Sequence, residues 1–183
     1  MKNRDSYGLL VMKALEFFIE FPYKEIYLRE FARKMKISSN TAQRFLNIYL
    51  MEGFVVEIIR GKMRYFAANL ESVVFRQIKV AFSLREIEKS GLIYFFKENN
   101  ATSLILFGSV AKGLDDKSSD VDLVCIGPNK KLKFRQFEEK IGRVLQVHFF
   151  TWAEWKKQAK INKAFYRDVV KDGIALIGEK PVI

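Results

Sequence analysis

The feature that most constrains this chain is a pair of apolar runs separated by a short polar segment. Residues 101–107 form the first run, which ends at Gly108, and residues 121–126 form the second. Short apolar runs bounded by glycine and polar residues are typical of buried strands. We therefore predict two buried strands, with Asp120 and Asp122 near the start of the second one.

The residues at these strand ends carry a specific chemistry. Gly108 allows the backbone to approach a ligand closely, and Ser109 opens a helix whose free amides favour phosphate oxygens. Asp120 and Asp122 are two residues apart on a strand, so their side chains project from the same face. Two carboxylates form a hard oxygen site suited to Mg²⁺. A phosphate cradle beside such a site is the equipment of phosphoryl transfer.

Residues 106–113 and 119–123 closely resemble the glycine-serine turn and paired aspartates of the DNA polymerase β nucleotidyltransferase superfamily. Within it, the closest resemblance is to the minimal nucleotidyltransferases, and it spans about residues 90–180. The resemblance implies a domain that binds a nucleoside triphosphate and uses divalent metal.

Roles for individual residues follow from the same resemblance. Gly108 and Ser109 are expected to hold the triphosphate, and Asp120 and Asp122 to bind Mg²⁺ or Mn²⁺. Lys112 either approaches the phosphates or is a solvated helix lysine, and the sequence leaves both interpretations open.

The third carboxylate that this family usually supplies from a later strand is not evident here. Residues 144–150 are predicted to form that strand, in which Gln146 and His148 share one face. His148 falls where the carboxylate is expected. A neutral imidazole can act as a base near neutral pH, and it binds Mn²⁺ better than Mg²⁺. Alternatively, His148 is merely a polar strand residue and the transferase is weak or inactive.

The first 70 residues predict three helices followed by a hairpin. Ser38 is a suitable N-cap for the third helix, and Gly61 lies in the short turn between two extended runs. The predicted helices cover residues 5–20, 28–35 and 38–52, and the predicted strands cover residues 54–59 and 63–68. This order strongly resembles a winged helix-turn-helix.

That resemblance implies binding to double-stranded DNA. In a winged helix the third helix enters the major groove, and the hairpin tip meets backbone phosphate. Winged helices also serve as protein-interaction modules, so this alternative stays open. The residues expected to face DNA are Ser39, Asn40, Thr41, Gln43, Arg44 and Asn47 on the helix, and Arg60, Lys62 and Arg64 on the hairpin. The residues expected to face the core are Ala42, Leu46, Tyr49 and Leu50.

The composition agrees with an anionic partner without locating its site. The formal net charge is +11, with +5 in residues 1–70 and +6 in residues 71–183, and basic charge favours nucleic acid. Lysine- and glutamate-rich compositions also occur in heat-adapted proteins. The single cysteine, Cys125, excludes an internal disulfide and is predicted to be a buried thiol. No run reaches the length of a membrane span and no signal peptide is evident, so we expect a cytoplasmic protein.

These observations predict an α+β chain in three parts: a winged helix-turn-helix over residues 1–70, one connecting helix over residues 71–98, and an α/β nucleotidyltransferase domain over residues 99–183. The last part is expected to have a short mixed sheet like the polymerase β palm. A further helix is predicted over residues 132–141, and Thr151 and Glu154 form a capping box that predicts a helix start.

The leading functional hypothesis is a metal-dependent transferase that moves a nucleotide monophosphate from a nucleoside triphosphate to a hydroxyl of a protein or nucleic acid. The rival hypothesis is a DNA-binding transcription regulator whose inactive transferase domain senses nucleotide. Some similar nucleotidyltransferases act as antitoxins that modify a partner toxin, so the resemblance also implies a partner-protein acceptor. Because winged-helix regulators commonly read two half-sites, we expect a homodimer.

Overall fold

The computed structural model describes residues 2–127 and 132–183. It divides into two compact units, the first ending at Arg76 and the second spanning Gln77–Ile183. In the described ranges no helix is long and apolar enough to cross a membrane. The elements of the first unit are α1 (Lys2–Glu20), β1 (Ile26–Tyr27), α2 (Leu28–Met35), α3 (Ser39–Met51), β2 (Val55–Arg60) and β3 (Met63–Ala68).

The turn between α2 and α3 is fixed by hydrogen bonds at both helix ends. Lys36 takes a left-handed conformation at the end of α2, with φ of 54°, and Ile37 N–H donates to Ala32 O at 3.0 Å. This pattern satisfies the last carbonyls of a helix. Ser38 Oγ then accepts from Thr41 N–H at 3.1 Å, which confirms the predicted N-cap.

The core of the first unit is rich in aromatic rings. Ala42, Leu46 and Tyr49 are fully buried, as predicted, whereas Leu50 is only half-buried. Tyr49 Oη donates to the carbonyl of Val11 at 2.5 Å, so the one polar atom of this ring is satisfied inside the core.

The described residues of the first unit also contain a three-stranded antiparallel sheet in the order β1-β3-β2. The hairpin β2-β3 was predicted from the sequence. The short strand β1 was not, because two residues give too little periodicity to indicate a strand. Its partner residues are Ile26 with Phe66 and Tyr27 with Tyr65.

The single helix predicted over residues 71–98 is wrong. The structure has α4 (Val73–Ser90) and α5 (Leu92–Glu98), separated at Gly91. Gly91 has φ of 86°, a left-handed conformation that interrupts a helix. The boundary between the two units falls inside α4.

The described residues of the second unit form a four-stranded mixed sheet in the order β6-β5-β4-β7. Strands β5 and β6 are parallel, and the other pairs are antiparallel. This agrees with the short mixed sheet that was predicted. The remaining elements are β4 (Ser103–Phe107), α6 (Gly108–Lys112), β5 (Val121–Ile126), α7 (Arg135–Ile141), β6 (Leu145–Phe150), α8 (Trp152–Ile161), α9 (Lys163–Asp172) and β7 (Ile174–Ile177).

Helices cover both faces of this sheet. On one face Leu106 and Leu123 pack with Phe96 of α5. On the other face Val124 packs with Trp155 of α8, among residues from α9. Alternate strand residues therefore point to different cores. Asp122 and Val124 alternate with Leu123 on β5, so Asp122 projects to the face that α8 and α9 partly cover.

Candidate functional site

The two aspartates lie at the start of β5. Asp120 is the residue before the strand and Asp122 is its second residue. The antiparallel register places Asp122 opposite Phe107, the last residue of β4. Since Gly108 follows Phe107 directly, the glycine turn and the aspartate pair lie at the same end of the two central strands.

Gly108 lies directly against the Asp122 carboxylate. Its φ is +73°, and a Cβ added there would collide with Asp122 Oδ2 and come within 3.2 Å of Asp122 Cγ. A side chain at this position is therefore excluded twice, by backbone conformation and by the neighbouring carboxylate. The sequence predicts that Gly108 allows a ligand to approach the backbone closely. In the structure the Asp122 carboxylate also lies close to this backbone.

The Asp122 carboxylate is in an environment that disfavours its charge. Burial raises its pKa, the charge of Asp120 raises it further, and the charge of His148 acts in the opposite direction. Two carboxylates close enough to repel each other create a site that a bound cation would stabilise.

Two polar residues of β6 flank the aspartate pair. In the parallel register Gln146 is the partner of Asp122, and His148 is the partner of Val124. Gln146 Nε2 donates to Asp120 Oδ2. Gln146 is thus the β6 side chain in direct contact with the pair. The sequence correctly predicted that Gln146 and His148 share one face, but it assigned the position of the third carboxylate to His148.

His148 is exposed and lies beside two aromatic rings. Its ring centroid is 5.9 Å from that of Phe107 and 5.5 Å from that of Phe165 on α9. His148 is the β6 partner of Val124, two residues after Asp122, and its charge lowers the pKa of the Asp122 carboxyl group.

The donor set suits one hard cation better than a closed metal cage. Among the described residues, no group of three or more His, Cys, Asp and Glu side chains is arranged to hold a metal. Asp120 and Asp122 supply carboxylate oxygens on one face of the sheet. Mg²⁺ is commonly bound by one or two carboxylates together with waters and substrate phosphates, so the residues present fit that mode.

The other residues predicted to bind nucleotide lie on α6. Ser109 is half-buried, and its carbonyl accepts from Leu114 N–H at 3.0 Å. Lys112 Nζ is 3.1 Å from Asp172 Oδ2 at the end of α9. Lys112 is therefore engaged in an ion pair, which must open before the side chain can reach a phosphate.

Sequence reasoning missed a cluster of three charged residues in the second unit. Lys79 on α4 and Arg143 before β6 both pair with Asp115, in the segment between α6 and β5. No local motif marks them, because their partners are separated by 28 to 36 positions in the chain. Only the folded chain shows that they meet.

In the first unit, the residues predicted to face DNA lie on the outer side of α3 and at the hairpin. Ser39, Asn40, Arg44 and Asn47 are exposed, and Thr41 and Gln43 are half-buried. Gln43 Nε2 donates to Asn47 Oδ1 at 2.9 Å, which ties two of the polar side chains together.

The hairpin carries three exposed basic residues. Arg60, Lys62 and Arg64 are exposed. Arg60 is 2.6 Å from Glu25 Oε1, and Arg64 donates to Glu57 Oε1. Two of the three predicted phosphate-binding residues are therefore paired with carboxylates of the same unit.

In the comparison with known protein families, a match lies within the second unit. Residues 89–176 match the family model described as a nucleotidyltransferase domain. This range contains the glycine turn, both aspartates and His148. The match indicates nucleotidyl transfer with a nucleoside triphosphate as substrate, and domains of this kind generally use divalent metals. None of the curated proteins compared with the chain matches it.

Proposed function

We propose that the second unit is a metal-dependent nucleotidyltransferase that moves a nucleotide monophosphate from a nucleoside triphosphate to an acceptor hydroxyl. The acceptor belongs to a nucleic acid or to a partner protein, such as a toxin. The observation that carries the proposal is the contact between Gly108 and the Asp122 carboxylate, inside the range that matches the transferase family.

In this proposal each residue of the site has one task. Asp120 and Asp122 hold Mg²⁺ or Mn²⁺, and Gly108 and Ser109 hold the triphosphate through the backbone. A bound divalent cation would neutralise the charge that develops on the transferred group. His148 receives the proton of the attacking hydroxyl as a general base. The hydroxyl oxygen bonds to the α-phosphorus while the bond to the β-phosphate breaks, and pyrophosphate leaves.

Lys112 is a phosphate ligand in the same proposal only if its ion pair with Asp172 opens. The half-exposed pair is weak enough for a triphosphate to compete. The approach of a polyphosphate and the release of Asp172 would then occur together.

A second candidate function is nucleotide sensing without transfer. The specific observation in its favour is that β6 places an amide, Gln146, against Asp120 and an imidazole, His148, two residues further along, with no carboxylate at either position. An amide and an imidazole hold a hard cation less well than a carboxylate. The chain would then be a DNA-binding regulator whose second unit reports triphosphate levels.

For the first unit we propose a winged helix-turn-helix that binds double-stranded DNA as a homodimer. The element order and the exposed polar side of α3 support this proposal. Attachment of a transferase to such a module suits a protein that regulates its own synthesis, as an antitoxin does.

Transfer of radiolabel from an α-labelled nucleoside triphosphate tests the transferase. Wild type is compared with an Asp120→Asn, Asp122→Asn double variant and with Asp168→Asn, an exposed aspartate of α9, in Mg²⁺ and in Mn²⁺. We expect label on protein or added nucleic acid with wild type and Asp168→Asn only. Triphosphate binding without any transfer favours the sensor, and equal binding by the double variant removes the aspartates from the site.

A further inference from the structure

Lys79, Asp115 and Arg143 form an ion cluster inside the second unit, which we call the Asp115 cluster. The side chains of Lys79 and Asp115 are each 1% exposed, and that of Arg143 is 13% exposed. Lys79 Nζ lies 3.5 Å from Asp115 Oδ1, and Arg143 Nη1 lies 2.7 Å from Asp115 Oδ2. One buried carboxylate is therefore held between two cations from distant parts of the chain.

The Asp115 cluster is costly to bury. Burial lowers the pKa of Lys79, against the favourable charge of Asp115. Within the described part of the chain, Asp115 Oδ1 and Arg143 Nη1 have no hydrogen bond of good geometry. Ion clusters of this kind often stabilise a fold no better than apolar side chains of similar size. Stability alone does not explain the three charges.

Side-chain and backbone hydrogen bonds hold the segment between Asp115 and Asp120 in a compact turn. Asp116 N–H donates to Ser119 Oγ at 2.9 Å, and Ser118 N–H donates to Asp116 Oδ1 at 2.8 Å. These bonds hold a compact turn directly before Asp120. A displacement of Asp115 would therefore be passed along the turn to Asp120.

The two cations anchor this segment from separate elements. Lys79 belongs to α4, whereas Arg143 stands next to Val144, whose carbonyl accepts from Val121 N–H at 2.9 Å. Arg143 is thus tied to the same strand start that carries Asp120. The contacts on Asp115 fix the position of the segment relative to both elements.

We propose that Asp115 is a positioning residue: Lys79 and Arg143 clamp it, and the clamp keeps Asp120 beside Asp122 in the geometry that a divalent cation requires. The proposal rests on the proposed function for its purpose, although the clamp itself is independent of it. Two neighbouring carboxylates repel each other while no cation is bound, so a rigid support is needed to hold them together.

Hydrogen exchange of the metal-free full chain tests the clamp. Arg143→Met leaves Lys79 paired with Asp115 and balanced in charge, and Arg143→Lys keeps the cation. We expect the amides of Ser119 and Val121 to exchange about tenfold faster in Arg143→Met, with β4 amides unchanged and Arg143→Lys close to wild type. Unchanged exchange at these two amides, or uniform acceleration across the unit, overturns the proposal.

Calorimetric titration of the protein with Mn²⁺ alone gives the second readout. Loss of a residue that supports a metal ligand commonly costs 10- to 100-fold in affinity, and we expect about a tenfold loss in Arg143→Met and none in Arg143→Lys. Equal affinity in Arg143→Met and wild type contradicts the positioning role. If wild type itself binds no Mn²⁺, the proposed function loses its metal site, while hydrogen exchange still decides the clamp.

A variant without any of the three charges covers the case in which Arg143→Met does not fold. Lys79→Met, Asp115→Leu and Arg143→Met together replace the cluster with apolar side chains, a change that buried ion clusters often tolerate. The same two readouts apply. A folded triple variant with wild-type exchange at Ser119 and Val121 and wild-type Mn²⁺ affinity overturns the proposal.

Discussion

The α-carbon of Gly108 lies against the carboxylate of Asp122, with no room between them for a Cβ atom. The contact joins the two halves of the motif, since Gly108 opens α6 and Asp122 belongs to β5. A ligand held by the backbone of the turn would therefore lie next to the carboxylates.

Gly108→Ala is expected to disable the site. The new methyl group would collide with Asp122 Oδ2, and alanine is also strained at φ of +73°. We expect a loss of stability of about 1 kcal/mol or more and a loss of Mn²⁺-dependent triphosphate binding, measured by thermal unfolding and calorimetry.

Gly91→Ala is the matched control for this variant. Gly91 has φ of +86°, in the same left-handed region as Gly108, but nothing lies within 4 Å of the position of its Cβ. It should show the backbone strain and keep triphosphate binding. Equal binding losses in both variants would mean that the contact with Asp122 is unimportant.

Asp122→Asn is expected to raise the stability of the metal-free unit near neutral pH. Burial raises the pKa of Asp122 in the folded chain, so its ionised form is less favourable there than in the unfolded chain. Wild-type stability should therefore rise as pH falls through this raised pKa, and the Asn variant should lack that rise. Thermal unfolding between pH 4 and pH 8, roughly the range in which a raised carboxyl group titrates, measures both curves.

Added metal should make wild type more stable than Asp122→Asn. At a concentration of about 100 times Kd, a ligand that binds only the folded state stabilises it by about 2.7 kcal/mol. We expect Mn²⁺ to raise the melting temperature of wild type and to leave that of Asp122→Asn unchanged. An equal rise in both would show that the metal binds elsewhere.

A comparison of the two single variants Gln146→Asp and His148→Asp should show which β6 position corresponds to the missing carboxylate. Gln146 touches Asp120 directly, whereas His148 lies two residues further along. A carboxylate at the equivalent position should shift the metal preference of transfer from Mn²⁺ toward Mg²⁺. If His148 is the base, His148→Ala should slow transfer by roughly 10²- to 10⁴-fold, whereas an unchanged rate makes it a bystander.

Local signals were sufficient to predict most of the elements. The N-cap at Ser38 and the capping box at Thr151 are both present as expected, because such caps depend only on residues within one turn of a helix. The burial of Cys125 was also predicted, and that burial raises its pKa to about 11. The break at Gly91 was missed, since an isolated glycine inside an apolar pattern does not by itself show whether a helix stops.

Contacts between distant residues could not be predicted in the same way. Two-residue alternation correctly placed Gln146 and His148 on one face, but the strand register decides which of them meets Asp120. The Asp115 cluster depends on three segments at once. Its members look like ordinary surface charges until the fold brings them together.

The DNA-binding proposal predicts different effects for a helix residue and a hairpin residue. If Arg44 reads a base, Arg44→Ala should cost roughly 1–3 kcal/mol on the specific site and relax the sequence preference. If Lys62 contacts phosphate, Lys62→Ala should weaken binding to all sequences alike and lower the salt slope by about one. Unchanged affinity in both variants would favour a protein-interaction module.

The ion pair between Glu57 and Arg64 gives a sharper test of the hairpin. Arg64 donates to Glu57, and this bond lowers the pKa of Glu57, so the carboxylate stays charged and competes with phosphate for the guanidinium. Glu57→Gln should remove the charge that competes for Arg64, tighten binding to all DNA sequences, and steepen the salt dependence. Glu52→Gln is the control, because it removes the same charge at the end of α3 that lies away from the residues expected to read bases. Fluorescence anisotropy at several salt concentrations compares the DNA affinities of the two variants. An equal gain in both variants would reflect net charge alone and would place the hairpin away from the DNA backbone.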